Sequence, residues 1–219
     1  MSKKHGSFVV VGLGNFGSTV ATELARFENY VIGIDRDDAR VGPIAEHLNQ
    51  ALILDARDDD ALRDAGVSEC STGLVAMGTD LESSVLATMN LKLVGVETIW
   101  AKATSKTHHR ILSRLGVDRV IHPEVEVGRQ VAQMLHNPLV RDFVTVGNGY
   151  HVVNLTIPKE LNERSLDDLN FGKFDLRCVG VMRGTEFLGQ QGDEIVLHSD
   201  DRLLLLGRRP DLRNFTSSL

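Results

Sequence analysis

The chain has 219 residues, of which 42% are hydrophobic and 25% charged, and its formal net charge is −6. That length suits one or two domains with a real core, and the composition excludes a disordered chain. The acidic balance without a Lys/Arg block argues against a nucleic-acid partner; no apolar run approaches the ~18 residues of a membrane span, and Met1-Ser2-Lys3-Lys4 leads into a strand without a signal segment, so a cytosolic protein is expected.

Residues 8–11 read as a short apolar strand, and residues 18–27 carry helical spacing, with Val20, Leu24 and Phe27 on one face. Between them lies Gly12-Leu13-Gly14-Asn15-Phe16-Gly17, a G-x-G-x-x-G turn. Gly12 permits the tight turn, Gly14 lets a pyrophosphate approach the backbone, and Gly17 lets the helix lie close on the strand. The phosphates then meet unpaired amides at the positive end of the helix dipole. A second strand, residues 30–34, ends at Asp35, about 20 residues past Gly14, where a ribose-binding acid is expected. The other reading of Asp35 is a turn or cap residue.

Arg36 to Arg40 form a solvated turn, and Val41, Ile44, Ala45 and Leu48 give one helix its inner face. A third strand, residues 51–54, ends at Asp55-Ala56 and completes a βαβαβ half. Asp55 is expected on the adenine side, accepting from the exocyclic amine, or else as the cap of a helix over residues 58–65. Strands follow at 73–77, 98–102 and 118–121, with helices at 81–93 and 106–115. Asp80 is a candidate cap, and Lys102 lies near its strand's carboxyl end. The first half is therefore α/β, a Rossmann-like doubly wound parallel sheet.

A helix over residues 124–136 carries Val127, Val131, Met134 and Leu135 and is stopped by Asn137-Pro138. Beyond it come short strands at 143–146, 151–157, 177–182, 186–188, 194–197 and 203–206, and short helices at 165–169 and 211–215. This is a small α+β C-terminal domain of about 75 residues, a size that favours packing against a second copy. The expected division is 1–124 for the nucleotide-binding domain, 125–141 for a crossover helix and linker, and 142–219 for the C-terminal domain. Cys70 and Cys178 lack metal or redox spacing and are expected near the core. His151 and His198 read as surface or edge-strand residues, and His108-His109 as a solvated helix face. No nucleophile elbow, P-loop or paired-carboxylate motif is present. A nucleotide site without catalytic groups suggests a sensor that is not an enzyme.

The ordered set of the glycine turn, Asp35, Asp55-Ala56, Met77-Gly78-Thr79-Asp80, Ala101-Lys102-Ala103, His108-His109 and residues 115–124 resembles the RCK (KTN) regulatory domains of bacterial potassium channels and transporters. Leu166-Asp167-Asp168-Leu169 and residues 200–207 resemble the TrkA-C domain that follows them. Within that family the match is to free-standing KtrA-type subunits, which regulate a KtrB-like membrane potassium-translocating subunit. The resemblance implies a cytosolic gating subunit of a potassium uptake system, peripheral on the inner face of the membrane. It implies an RCK_N domain, an RCK_C domain, and a homodimer built through the helix at 125–136 and assembled into an octameric ring. It also implies that ATP and ADP compete for the glycine turn. Gly12, Gly14 and Gly17 would cradle phosphates, with Asn15 and Phe16 in the same turn. Asp35 and Arg36 would contact the ribose and adenine side, and Asp55 and Ala56 would hold adenine. Met77, Gly78 and Lys102 would complete the site. Glu124 lies where the family has a carboxylate near the γ-phosphate that binds a divalent cation such as Mg²⁺; its other reading is an acidic residue in the first turn of a helix. Asn15 stands where such subunits commonly carry an arginine that reaches the neighbouring subunit's γ-phosphate. NAD or NADH as ligand therefore stays open, as does, further off, an NAD-dependent oxidoreductase.

Overall fold

A computed structural model describes residues 6–78, 80–189 and 195–219. Thr79, Glu194 and the Met1–Lys4 stretch lie outside them. The chain divides after Glu124 into two compact units. Among the described residues no helix is long and apolar enough to cross a membrane.

The first unit alternates strands and helices: β1 (Ser7–Val11), α1 (Asn15–Arg26), β2 (Tyr30–Asp35), α2 (Asp38–Val41), β3 (Gln50–Ile53), α3 (Asp59–Asp64), β4 (Thr72–Val75), α4 (Leu81–Leu93), β5 (Thr98–Lys102), α5 (Lys106–Arg114) and β6 (Arg119–Ile121). All six strands are parallel, in the order β3-β2-β1-β4-β5-β6. This is the Rossmann order, and it reverses between β1 and β4. The central strand shows why. Val9 and Val11 pack into one apolar layer and Val10 into the other, so both faces of β1 are covered by helices and its sequence is an unbroken apolar run.

Side chains set the helix starts. Asp58 accepts from the amide of Ala61 at the head of α3, Asp80 from Ser83 at α4, and Ser105 from His108 at α5. Asp58, not Asp55, is the cap of α3. The helix expected from Val41 onward is interrupted. Pro43 has no amide to donate, so α2 stops at Val41 and a 3-10 stretch, Gly42–His47, follows. Ile44 and Leu48 still pack on the core. The first helix starts three residues earlier than its apolar spacing indicated, at Asn15, which places Gly17 inside it.

The second unit holds most of α6 (Pro123–His136), then β7 (Val140–Gly147), β8 (Tyr150–Thr156), β9 (Arg177–Arg183), β10 (Glu186–Gly189), β11 (Arg202–Arg208) and α7 (Arg209–Thr216). Its five strands are antiparallel, in the order β10-β9-β11-β8-β7. Period-two alternation puts Val153 and Leu155 of β8 and Leu203 and Leu205 of β11 on the buried face. Short 3-10 turns at Lys159–Leu161, Leu166–Leu169 and Phe171–Phe174, together with α7, cover it. Phe215 of α7 is buried there between Phe171 and Phe174, with ring centroids 5.4 and 5.3 Å away. Two expectations need correction. The helix at 165–169 is a 3-10 turn opened by the Ser165 hydroxyl, and of the strand expected at 194–197 the described residues 195–197 form one bridge, between Ser165 and Val196. Asp201 is almost fully buried and accepts from Arg183 Nε at 2.9 Å, Arg183 Nη2 at 2.8 Å and the His198 amide at 2.8 Å.

Candidate functional site

The divergence of β1 and β4 opens a cavity of about 750 Å³ at the carboxyl ends of the parallel strands, within the ordinary range of small-molecule sites. All the site residues read from the sequence line it except Gly17: Gly12, Gly14, Asn15, Phe16, Asp35, Arg36, Asp55, Ala56, Met77, Gly78, Lys102 and Glu124.

The three turn glycines do three different jobs. Gly12 has φ +92°, a conformation that costs little only without a Cβ, and its amide donates to the Ile34 carbonyl at 2.8 Å. Gly17 lies under the turn: a methyl there would run into the Gly12 carbonyl oxygen, which is the close helix-to-strand approach expected of it. Gly14, the N-cap of α1, has an ordinary φ of −66°, and an added Cβ would meet nothing within 4 Å. The open side of Gly14 is therefore free for a ligand. No side chain among the described residues caps α1, and no acid sits in its first turn, so the amides there are available to an anion.

Asp35 is fixed by the turn that it faces. Its Oδ2 accepts from the Leu13 amide at 2.8 Å and its Oδ1 from the Asp37 amide at 3.0 Å, and it is only 7% exposed. It caps no helix; Asp37 does that for α2. A carboxylate held from both sides keeps lone pairs for a diol and needs little reordering to bind one. Arg40 Nη1 stands 3.5 Å from Asp35 and lines the cavity. Arg40 was hidden in the sequence among residues read as a solvated turn. Ser18, Asp80 and Ser83 also line the cavity, and Asp80 joins cap and site.

Asp55 lies at the far end, with both carboxylate oxygens on Arg57, and the Arg57 hydrogen bond holds it below the usual carboxylate range. Ala56 is fixed by its carbonyl, which accepts from Asn90 Nδ2 at 3.1 Å. On the opposite wall Lys102, mostly buried, pairs with Glu124 and stands 5.6 Å from the Phe16 ring centroid. The Lys102 hydrogen bond keeps the Glu124 carboxyl below its ordinary value. No group of three His, Cys, Asp or Glu side chains able to hold a metal occurs among the described residues. Glu124 thus fits a divalent cation only where phosphate oxygens and water complete the shell.

Of the paired histidines expected on a solvated face, His109 is exposed and His108 is not. His108 is buried, with Nε2 3.1 Å from Ser84 Oγ, because α5 turns His108 and Leu112 inward together. Burial lowers its pKa. His109 Nδ1 lies 2.9 Å from His122 Nε2, with the rings within 16° of parallel and their centroids 5.1 Å apart. That spacing is what rings meeting edge to edge through one N–H···N bond give, so this is a hydrogen-bonded pair and not a face-to-face stack.

The family model for the TrkA-N domain matches residues 8–123. Ktr system potassium uptake protein A of Bacillus subtilis (strain 168) is 29% identical over 213 residues, covering 97% of this chain and 96% of that protein. Ktr system potassium uptake protein C of the same organism is 29% identical over 209 residues, covering 95% of each. Among solved structures, the GsuK RCK domain superposes with a TM-score of 0.55 at 17% identity; the match covers all of this chain and 48% of that one. The fold of both units is thus shared with an RCK domain, and with more than half of its length matched by the family model, the chain belongs to the TrkA-N domain family.

Proposed function

We propose that this chain is a nucleotide-sensing regulatory subunit of a potassium uptake system, in which ligand occupancy, without turnover, changes the activity of a membrane subunit. The observation that carries the reading is the uncapped head of α1 opening on the same cavity as the anchored carboxylate of Asp35. One end takes phosphates and the other a ribose diol. Potassium enters through the relatives, whose names are those of Ktr uptake proteins over nearly the whole chain.

In this reading ATP and ADP compete for the site. Gly12, Gly14 and the first amides of α1, at Asn15 and Phe16, take the phosphates. Asp35 and Arg36 take the ribose side, Asp55 and Ala56 the adenine, and Met77 and Gly78 the wall between. Lys102 reaches the terminal phosphates, and Glu124 shares a divalent cation such as Mg²⁺ with them. Residues 1–124 act as RCK_N and 142–219 as RCK_C, joined by the crossover at 125–141, through which two copies form the homodimer of an octameric ring. The ring docks on a KtrB-like membrane subunit from the cytoplasmic side, and the chain is not an enzyme.

A second reading, NADH as ligand, is favoured by charge. The cavity's carboxylates, on Asp35, Asp37, Asp55, Asp80 and Glu124, outnumber its cations, on Arg36, Arg40 and Lys102, and Asn15 adds none. A pyrophosphate needs less positive charge than a triphosphate. Calorimetric titration with ATP, ADP and NADH, with and without Mg²⁺, separates the two. Binding of both adenine nucleotides, tighter for ATP with Mg²⁺, supports the switch. Tight binding of NADH alone rejects it in favour of an NAD(H)-responsive regulator, and hydride transfer to any substrate would reject the non-catalytic reading altogether.

A further inference from the structure

A second cavity, of about 450 Å³, lies wholly within the second unit, between the end of α6, strands β7 and β8, and α7. Its floor is apolar: Val140, Val153 and Leu212 are buried side chains, and Phe143 stands beside them. Its rim carries two guanidinium cations and an imidazole. Arg209 and Arg213 come from adjacent turns of α7, and His136 comes from the last turn of α6. No carboxylate is among the described residues that line it, and neither arginine makes an ion pair among those residues.

The placement of these arginines runs against the stability of their own helix. Like charges at i and i+4 repel, and Arg209 is the first residue of α7, where the helix dipole disfavours a cation. Asp211 offsets this in the first turn but lies outside the cavity. The Arg209 charge is felt inside the fold: after burial, it is what keeps His151 below its ordinary pKa, and His151 packs on Phe143 with ring centroids 4.5 Å apart. The α6 end adds only the partial negative charge of its last carbonyls, about half a charge at most, against two full guanidinium charges. The cavity as a whole therefore attracts anions. Two guanidinium forks one helical turn apart suit a planar carboxylate or a phosphate, which each can grip through two parallel hydrogen bonds. The apolar floor is poor ground for a fully hydrated inorganic ion and good ground for a ring.

We propose that this cavity binds a small organic anion, a phosphomonoester or carboxylate head on a flat apolar body, with the head between Arg209 and Arg213 and the body against Phe143, Val153 and Leu212. The site is independent of the nucleotide cavity, since no residue is shared between the two linings. A regulator with such a site would respond to a second metabolite as well as to its nucleotide.

The test is calorimetry on the full chain with three probes: phenyl phosphate, benzoate and inorganic phosphate. Phenyl phosphate or benzoate is expected to bind with one site per chain, and inorganic phosphate at least tenfold more weakly. The double variant Arg209→Gln, Arg213→Gln is expected to weaken the organic probe at least tenfold while keeping a cooperative thermal transition. Gly14→Ala, in the other cavity, is expected to leave the probe's affinity within twofold. Binding of benzoate but not phenyl phosphate identifies the head as a carboxylate, and the converse as a phosphate. The proposal is overturned if neither organic probe binds, if inorganic phosphate binds as tightly as they do, if the double variant binds like the parent, or if Gly14→Ala abolishes binding. None of these outcomes depends on whether ATP, ADP or NADH occupies the first site.

Discussion

Lys102 at the end of β5 and Glu124 at the start of α6 neutralise each other inside the first cavity. Each is a group that a polyphosphate with a divalent cation would claim: the ammonium for phosphate, the carboxylate for the metal. The pair is therefore a resting arrangement that a triphosphate with its cation would exchange for two better contacts. Glu124→Gln is expected to raise ATP affinity in the absence of divalent cation, by about threefold to tenfold because Glu124 is 64% exposed and its pairing energy is screened. The same variant is expected to lose the enhancement by Mg²⁺. Paired titrations with and without EDTA check both, and an enhancement that survives would place the cation elsewhere.

Gly14 and Gly17 offer a separation of binding from folding within one turn. Gly14→Ala puts a methyl into open space at an ordinary φ, so the melting temperature is expected to stay within about 2 °C while nucleotide affinity falls at least tenfold. Gly17→Ala drives a methyl into backbone, and a loss of about 2–3 kcal/mol in unfolding free energy is expected. Thermal melts beside nucleotide titrations read out both. A Gly14→Ala protein that binds normally would show that no phosphate approaches the turn.

Asp35→Asn tests the ribose anchor. The amide can accept from Leu13 but then presents its NH₂ to the Asp37 amide, donor against donor. Stability is expected to drop by about 1–3 kcal/mol from the spoiled buried bond. Affinity for ATP, ADP and NADH is expected to fall together, because all share the diol. A selective loss for one ligand would mean that Asp35 reads something other than ribose.

Asp201 predicts a pH dependence of the second unit. Burial works to raise its pKa, but the Arg183 hydrogen bonds and the His198 amide outweigh it and leave the carboxyl below its ordinary value. A carboxylate with a lowered pKa stabilises the fold at pH above its unfolded value of about 3.9 and loses that contribution as pH falls through the lower, folded value. Stability should thus be flat from neutral pH down to about pH 5 and fall below pH 4. Asp201→Asn is expected to lose about 2 kcal/mol at neutral pH, modest for a buried pair because Arg183 is 37% exposed, and to show a shallower acid limb. Urea unfolding at pH 7 and pH 3.5 measures both.

The first unit was readable because its sequence signals and its packing agree. An apolar strand on both faces, a glycine turn and an acid at the end of the second strand admit few topologies, and β1, Gly12 and Asp35 stand where that logic puts them. What could not be read depends on neighbours distant in sequence. Arg40 looks solvated until α2 folds back on Asp35. His108 hides because a polar residue on an inward face is only intelligible once Ser84 of another helix is beside it. In the second unit the bridge at Val196 and the 3-10 turns lack the periodicity that marks longer elements.

The strand order of the second sheet sets a schedule for its making. β11 lies between β9 and β8, in the middle of the sheet, although it is the last of the five strands to be synthesised. Until residue 208 has emerged, β8 is paired only with β7 and β9 only with β10, and the inner edge of each hairpin is exposed to any other unpaired strand nearby. The first unit, by contrast, holds a complete βαβαβ half within its opening 53 residues and can begin to pack while the rest is being made. A nascent chain of this kind therefore carries a folded first unit and a second one in two unjoined hairpins through the last part of its translation, and it is in that interval that neighbouring copies on one message would be most able to pair through their second units.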